Sequence, residues 1–583
     1  MYQPFDSQFA QLYAEYVDTQ PSDELSTRAL SFVESVVDEP ATRMVVLTGD
    51  AGHGKTHLCG QLITHFAPGS GTVRTVLAEM CTGQHRVATL PSGRGLSVIK
   101  DLSELTPTEA IERLAACLSD EGAVAVVCAN EGRLRQILAE AAMAGHHDLS
   151  SIQRSVEKVL QTGSTTENGK VHVVDLNHQS VAATAGKSLV QQVFKNWVDD
   201  QRKWSTCGQC PHQARCPIYE NRVLLTDPVA GASRRSGFEA LLRVAEQTGH
   251  VITIRELLVF MAHIITGGLK CDAVHERAER SPKDDWQFKH LFHQAAFGGL
   301  LKEADRTRLR VFRAAGMLDP GSRAIRQVDD ALVGLEDEQI KFLDLQSLEH
   351  RPAARNHAQR QRDSKFARDW YRSLRRLSYF DSGVDGDHHV SFAERLGLRH
   401  YDDFEGMFAD DLPAAAQIRK RDLVLRGLEA VQGIHGHTRA GAFVIVDPAF
   451  SSSRSGASVV SVQLPVATVR LLSQTSWWID EGHAPNLADA VDWVDRRVYV
   501  VLRSSTGRRT TVALDCRQFE FVCRASKGLS SSAFFQADIR RMMAQLSAAT
   551  ENAPEDFQIT LVVDGRPASL VIDVGNIIEA TVG

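Results

Sequence analysis

With 583 residues, 43% of them hydrophobic and 23% charged, the chain has ordinary globular composition and the length of roughly three or four domains at about 150 residues each. Collagen-like, coiled-coil-rod and wholly disordered chains are excluded. Sixty-five Lys and Arg against 72 Asp and Glu leave a net charge of −7, so any nucleic-acid surface has to be local.

The first basic residue is Arg28, later than a secretory or mitochondrial leader would place one, and the expected location is the cytoplasm. From Met44 to about Gln179, β-rich runs at Met44–Thr48, Val73–Ala78, Leu96–Lys100, Ala123–Ala129 and Val171–Asp175 alternate with helical stretches such as Pro107–Leu118 and Arg133–Ala144. This alternation predicts an α/β fold, a parallel sheet wrapped by helices. Directly after the first run stands Gly49-Asp50-Ala51-Gly52-His53-Gly54-Lys55-Thr56, a complete GxxxxGK[ST]. Gly49, Gly52 and Gly54 let the backbone curl so that its N–H groups meet the β- and γ-phosphates of ATP. Lys55 is expected to bridge those phosphates and Thr56 to ligate Mg²⁺.

Asp101, at the end of Leu96–Lys100, is the Walker B candidate for the same magnesium. No Glu follows it directly, so the water-activating base is open between Glu104 and Glu131. Asn130 follows the strand Ala123–Ala129, where a polar side chain can orient water beside the γ-phosphate. The same residue also suits the N-cap of the following helix. Three cysteines cluster further on, Cys207, Cys210 and Cys216, in a CxxC-x5-C pattern within an insertion near 204–221. Three thiolates and a fourth ligand, His212 or Cys271, would close a structural zinc site; an iron–sulfur cluster or unligated thiols also fit the spacing. The remaining cysteines, Cys59, Cys81, Cys117, Cys128, Cys271, Cys516 and Cys523, are scattered among apolar neighbours, where Cys acts as a small hydrophobe.

Between Gly237 and about Val431 the pattern is helical throughout, as in Phe238, Leu241, Leu242 and Val244. Val251–Leu269 is the most membrane-like stretch, but it carries Arg255 and Glu256 and reads as a soluble helix. Thr253 is its expected N-cap with Glu256 as capping-box partner, which puts Arg255 in the first turn, able to meet a nucleotide or simply a surface carboxylate. Arg234 and Arg235 compete for that role. Residues 351–380 hold nine Lys or Arg against two acids. On a helical projection Lys365, Arg368, Arg372, Arg375 and Arg376 share one face opposite Phe366, Trp370, Leu374 and Leu377. That face suits duplex DNA phosphates, an acidic partner, or water. From Gly441 the pattern changes to hairpins at 498–510 and 559–572 and helices at Phe519–Ala525 and Phe534–Leu546, a small α+β domain. Linkers are expected at Asp381–Asp387 and Ser451–Ser458. The Asp385–His389 string and His435/His437 read as turns. The expected division is 1–225 for the nucleotide domain, 226–435 for a helical lid and middle domain, and 436–583 for the α+β domain.

Taken together, GDAGHGKTHLC, VIKDLSEL, VVCANEGRLR, VVDLNHQS, the CxxC-x5-CPI segment, VITIRELL and LDCRQFEF resemble a family of bacterial AAA+/STAND-like P-loop defence ATPases, which includes the ATPase subunit of DNA phosphorothioation-dependent restriction systems. The resemblance covers residues 44 to about 270 well and the remainder loosely. It implies an ATPase with an all-helical lid, Lys55 and Thr56 on the nucleotide, Asp101 on magnesium, Asn130 as sensor 1 and Arg255 as sensor 2. It also implies a homo-oligomer working in an anti-phage or restriction complex with a separate nuclease or helicase. The alternative is a nucleotide-gated assembly scaffold that hydrolyses little and does not touch DNA, a reading favoured by the missing Asp-Glu pair.

Overall fold

The computed structural model describes residues 25–67, 86–183, 188–280, 286–323, 364–381, 391–409, 412–434, 441–446, 457–503, 509–529, 536–547, 558–563, 566–573 and 576–582. Outside them lie the expected strand Val73–Ala78, residues 351–363, the strings at Asp385–His389 and His435–His437, and most of both linkers. Two compact units divide the chain. One comprises Met1–Glu246, His250–Gly397 and Gly482–Val494; the other comprises Gln247–Gly249, Leu398–Glu481 and Asp495–Gly583. The sequence-level boundary at 225/226 falls inside the first unit and that at 435/436 inside the second.

The first unit is built on β1 (Met44–Thr48), β2 (Arg86–Thr89), β3 (Gly95–Ile99), β4 (Ala123–Cys128) and β5 (Val171–Asp175), in the order β2-β3-β4-β1-β5. β3, β4, β1 and β5 run parallel; β2, which the sequence reading missed, is an antiparallel edge. Every residue of β1, β4 and β5 is buried, as expected of strands covered on both faces by helices. The edge strand β2 has no buried residue. The fold is thus α/β with a mixed, mostly parallel sheet.

Around this sheet the site uses helices α1 (Lys55–Phe66), α2 (Pro107–Ser119) and α3 (Glu131–Met143). Thr106 and Glu109 form a capping box that fixes the start of α2. Beyond β5 every described element of the unit is helical, including α4 (Gly231–Gln247), α5 (Ile254–Thr266), α6 (Cys271–Arg280), α7 (Arg310–Met317) and α8 (Ser364–Phe380). Their core is aromatic: Phe238 of α4 packs on Phe260, Phe292 and Phe380 at centroid distances of 6.3, 5.8 and 4.6 Å. α5 starts as its sequence demands. The Thr253 hydroxyl accepts from the Glu256 N–H at 3.2 Å while the Glu256 carboxylate accepts from the Thr253 N–H at 3.3 Å. Among the described residues one stretch, Ile254–Arg280, is long and apolar enough to cross a membrane, and 67% of its most apolar window is buried inside the protein.

The second unit carries two antiparallel sheets. β8 (Arg470–Ser473), β9 (Val498–Arg503) and β10 (Arg509–Leu514) form one. β6 (Ala442–Val446), β7 (Ala457–Pro465), β11 (Gln558–Val563), β12 (Arg566–Asp573) and β13 (Asn576–Val582) form the other. Both expected hairpins are present as β9–β10 and β11–β12. Helix α9 (Ala414–Val431) crosses α10 (Cys516–Ala525) so closely that a Cβ at Gly427 would lie 2.0 Å from the Val522 carbonyl oxygen.

Candidate nucleotide site

From β1 the chain crosses to β2 on one side of the sheet, and from its neighbour β4 it crosses to β5 on the other. A crevice at the carboxyl ends of the strands is expected at such a reversal, and ligands of open α/β sheets bind there. Four strand ends meet at this edge: the GxxxxGKT loop after β1, Asp101 after β3, Asn130 after β4, and Asp175 and Asn177 at the end of β5.

The loop has the backbone that its glycines foretold. Gly49, Gly52 and Gly54 take φ of 133°, 101° and 78°, values that L side chains rarely adopt. A Cβ at Gly52 would also lie 3.0 Å from the Thr253 hydroxyl and 3.1 Å from the Arg255 Cβ. The loop is therefore seated against the first turn of α5, and the Arg255 N–H donates to the Gly52 carbonyl at 3.0 Å. On the other side the Asn177 side-chain oxygen accepts from the Asp50 N–H at 3.0 Å, and the Asp175 carboxylate accepts from the Asn177 N–H at 2.9 Å. Asn177 lies within the VVDLNHQS string, but nothing in its spacing announced that it would brace the loop.

Lys55 opens α1, and its ammonium donates to the carbonyls of Gly49 at 2.8 Å and Asp50 at 2.9 Å and to Asn130 Oδ1 at 3.2 Å. Burial lowers its pKa, opposed by Cys128, Asp101, Asp50 and Asp175. Three carboxylates surround the lysine from three strand ends. Asn130 occupies the N-cap position of α3 but makes no side-chain capping bond; its oxygen goes to Lys55 instead. Asp101 has one oxygen accepting from the Ser103 N–H at 2.8 Å, which starts the short turn Leu102–Glu104. Thr56 is half-buried one residue beyond Lys55.

Neither candidate base is turned onto the lysine. Glu104 pairs with Lys100, just before its short turn, at 3.4 Å, and Glu131 with Arg135 along α3 at 2.9 Å. Arg255 is exposed. A second arginine, missed from sequence, stands closer to the loop charges. Arg310, the first residue of α7, contacts the Asp50 carboxylate at 2.7 Å and Glu256 at 3.6 Å, and its N–H donates to Glu256 at 2.9 Å. Its position 260 residues from Asp50 leaves no periodic signal. The competing arginines are committed elsewhere: Arg234 is buried against Asp381 at 2.9 Å, and Arg235 is paired with Asp199.

The basic helix differs from its projection. Arg376 is 5% exposed, and with Arg372 it grips the buried Asp319 carboxylate at 2.7 and 2.8 Å; Arg375 donates to the Gly321 carbonyl at 3.4 Å. Burial alone would raise the Asp319 carboxyl, but the two guanidiniums overcome it and hold its pKa low. Of these three cations Arg376 is buried in the seam with residues 319–321, whereas the Arg372 side chain, 43% exposed, reaches the same carboxylate from the surface. The side chains of Lys365, Arg368, Phe366 and Trp370 lie outside the described residues.

Around the cysteine cluster, no group of three or more His, Cys, Asp or Glu among the described residues is arranged to hold a metal ion as it stands. His212 faces Glu279 at 3.6 Å and stacks near His275, with centroids 4.7 Å apart, so the nearest-in-sequence fourth ligand is directed to other partners.

Comparison with protein families, with curated proteins and with solved structures finds no match for this chain.

Proposed function

We propose that the chain is a P-loop ATPase of the additional-strand type, binding MgATP at the carboxyl edge of the β1–β5 sheet. The observation that carries this reading is the meeting of Lys55 with Asn130 at 3.2 Å, because it joins the loop after β1 to the end of its neighbour β4. The strand order supports it, since the loop-bearing strand is flanked by the strand that ends in Asn130, and that strand by the one that precedes Asp101. The residues fit the nucleotide. The left-handed glycines leave room for phosphate oxygens beside backbone N–H groups, Lys55 supplies the cation, and Thr56 with Asp101 supplies the oxygens that magnesium takes. Bound MgATP would bring the phosphoanhydride whose cleavage drives such proteins. Lys55 would then exchange the loop carbonyls for phosphate oxygens while Asn130 stays within its reach.

The setting we propose is a bacterial DNA-defence complex with a separate nuclease or helicase, on the family resemblance of residues 44–270. A second reading, a nucleotide-gated scaffold with slow turnover, is favoured by the commitment of both candidate bases, Glu104 to Lys100 and Glu131 to Arg135. Burial of Arg376 against Asp319 turns one of the five cations that supported direct DNA contact inward. Measuring ATP turnover with and without duplex DNA separates the readings. DNA-stimulated hydrolysis supports a motor or loader, whereas tight ATP binding with little turnover in either condition supports the scaffold.

A further inference from the structure

The described cysteines fall into two groups. Cys59, Cys117, Cys128, Cys516 and Cys523 are buried, as small hydrophobes are; Cys207, Cys210, Cys216 and Cys271 are not. Of the four that do not serve the core, three stand within one ten-residue segment, and Cys271, 55 residues beyond Cys216, starts the helix that contacts this segment. The gathering is built by local structure. The Cys210 N–H closes a turn onto the Cys207 carbonyl at 3.2 Å, which sets the two CxxC side chains on one side. Cys216 is the N-cap of the helix Pro217–Leu225, which fixes it where that helix begins.

Helix α6 comes down on this segment. It starts at Cys271 and carries His275 one turn later on the same face, with His275 Nε2 3.3 Å from Cys210 Sγ. Arg215 adds a bond to the Ala278 carbonyl at 3.4 Å.

We propose that Cys207, Cys210, Cys216 and Cys271 form a four-thiolate zinc site that staples α6 to the cysteine segment, with His275 bonded to the Cys210 sulfur outside the ligand shell. The ligand choice follows from placement: Cys271 lies one turn before His275, whose Nε2 reaches the Cys210 sulfur, whereas His212 is turned to Glu279. Each ligating thiol gives up its proton when the metal binds. A tetrahedral all-sulfur shell leaves no position for water, so the role is structural. It is independent of the nucleotide site.

The test uses the full-length chain, purified under reducing conditions with zinc present and then freed of loose metal. The expected result is about one zinc per chain, released in step with modification of four thiols by a mercurial reagent. Cys271→Ser should lower the occupancy well below one, and His212→Ala should leave it at the wild-type level. If Cys271→Ser does not fold, replacing zinc by cobalt in the unmutated chain still decides the matter, because four thiolates give an intense sulfur-to-cobalt charge-transfer band. Stoichiometric iron, disulfide-bonded cysteines, no zinc at all, or loss of zinc in His212→Ala but not in Cys271→Ser would each overturn the assignment.

Discussion

The Lys55 ammonium and the Asn130 side-chain oxygen stand 3.2 Å apart, although 75 residues separate them and they belong to different strand–helix units. Lys55 keeps two carbonyl partners besides, so Asn130 is not needed to hold the loop in shape. Asn130→Ala should accordingly leave stability within about 1 kcal/mol of wild type, the worth of one ordinary hydrogen bond. ATP affinity should change by only a few-fold while turnover falls at least about tenfold, as expected for a group that acts on the reacting phosphate rather than on binding. Parallel binding and turnover assays check this; undiminished turnover would remove Asn130 from the mechanism.

Arg310 and Asp50 form a half-exposed pair beside the loop, and such pairs contribute little to stability, about 0–1 kcal/mol. Arg310→Gln should therefore barely shift the unfolding midpoint. If the guanidinium turns from Asp50 to the nucleotide phosphates, losing that charge-assisted bond should weaken ATP binding roughly tenfold or more. Arg255→Gln made in parallel tests which of the two arginines does this. An effect confined to Arg255→Gln would assign the role to the exposed arginine of α5.

Arg376 and Asp319 are both buried, so the pair belongs to the fold and not to a binding face. Arg376→Gln leaves a buried carboxylate short of its closest cation and should cost about 3–5 kcal/mol in denaturant unfolding. The folded-state pKa of Asp319 is depressed, so its contribution is present above the unfolded value and is lost as pH falls through the folded one. The destabilisation caused by Arg376→Gln should thus shrink in strong acid. A variant as stable as wild type would return this arginine to the list of free surface cations.

His263, on α5, is 1% exposed; burial, with a smaller contribution from His290, lowers its pKa to about 4. The unfolded chain binds this proton near pH 6.5 and the folded one does not, so stability should fall as pH drops from 6.5 toward 4. The full effect is on the order of 3 kcal/mol. His263→Leu removes the titration and should flatten the unfolding free energy over that window. An unchanged pH slope in a folded variant would assign the dependence to other groups.

The sequence announced those parts of the site that a local pattern can encode. The glycine spacing predicted a loop whose φ values are indeed left-handed, and Thr253 with Glu256 predicted the capping box that starts α5. Asp101 and Asn130 were found because each follows an apolar run that became a strand. Arg310 and Asn177 were not, because their partners at Asp50 are 260 and 127 residues away and no short-range period relates them. Arg376 on the arginine face of α8 turned inward for a related reason. A helical projection places side chains around an axis but says nothing of a buried acid such as Asp319 on another segment. The edge strand β2, short and without buried residues, carried too little apolar signal to be read.

The most direct test of the nucleotide site is equilibrium binding of MgATP to the full-length protein and to Lys55→Ala, with folding of both verified by thermal unfolding. The wild type should bind saturably, and Lys55→Ala, deprived of the cation that the loop holds between Gly49, Asp50 and Asn130, should bind at least about tenfold more weakly. No saturable binding to the wild type at about millimolar nucleotide, or equal affinity in the folded variant, would contradict the account.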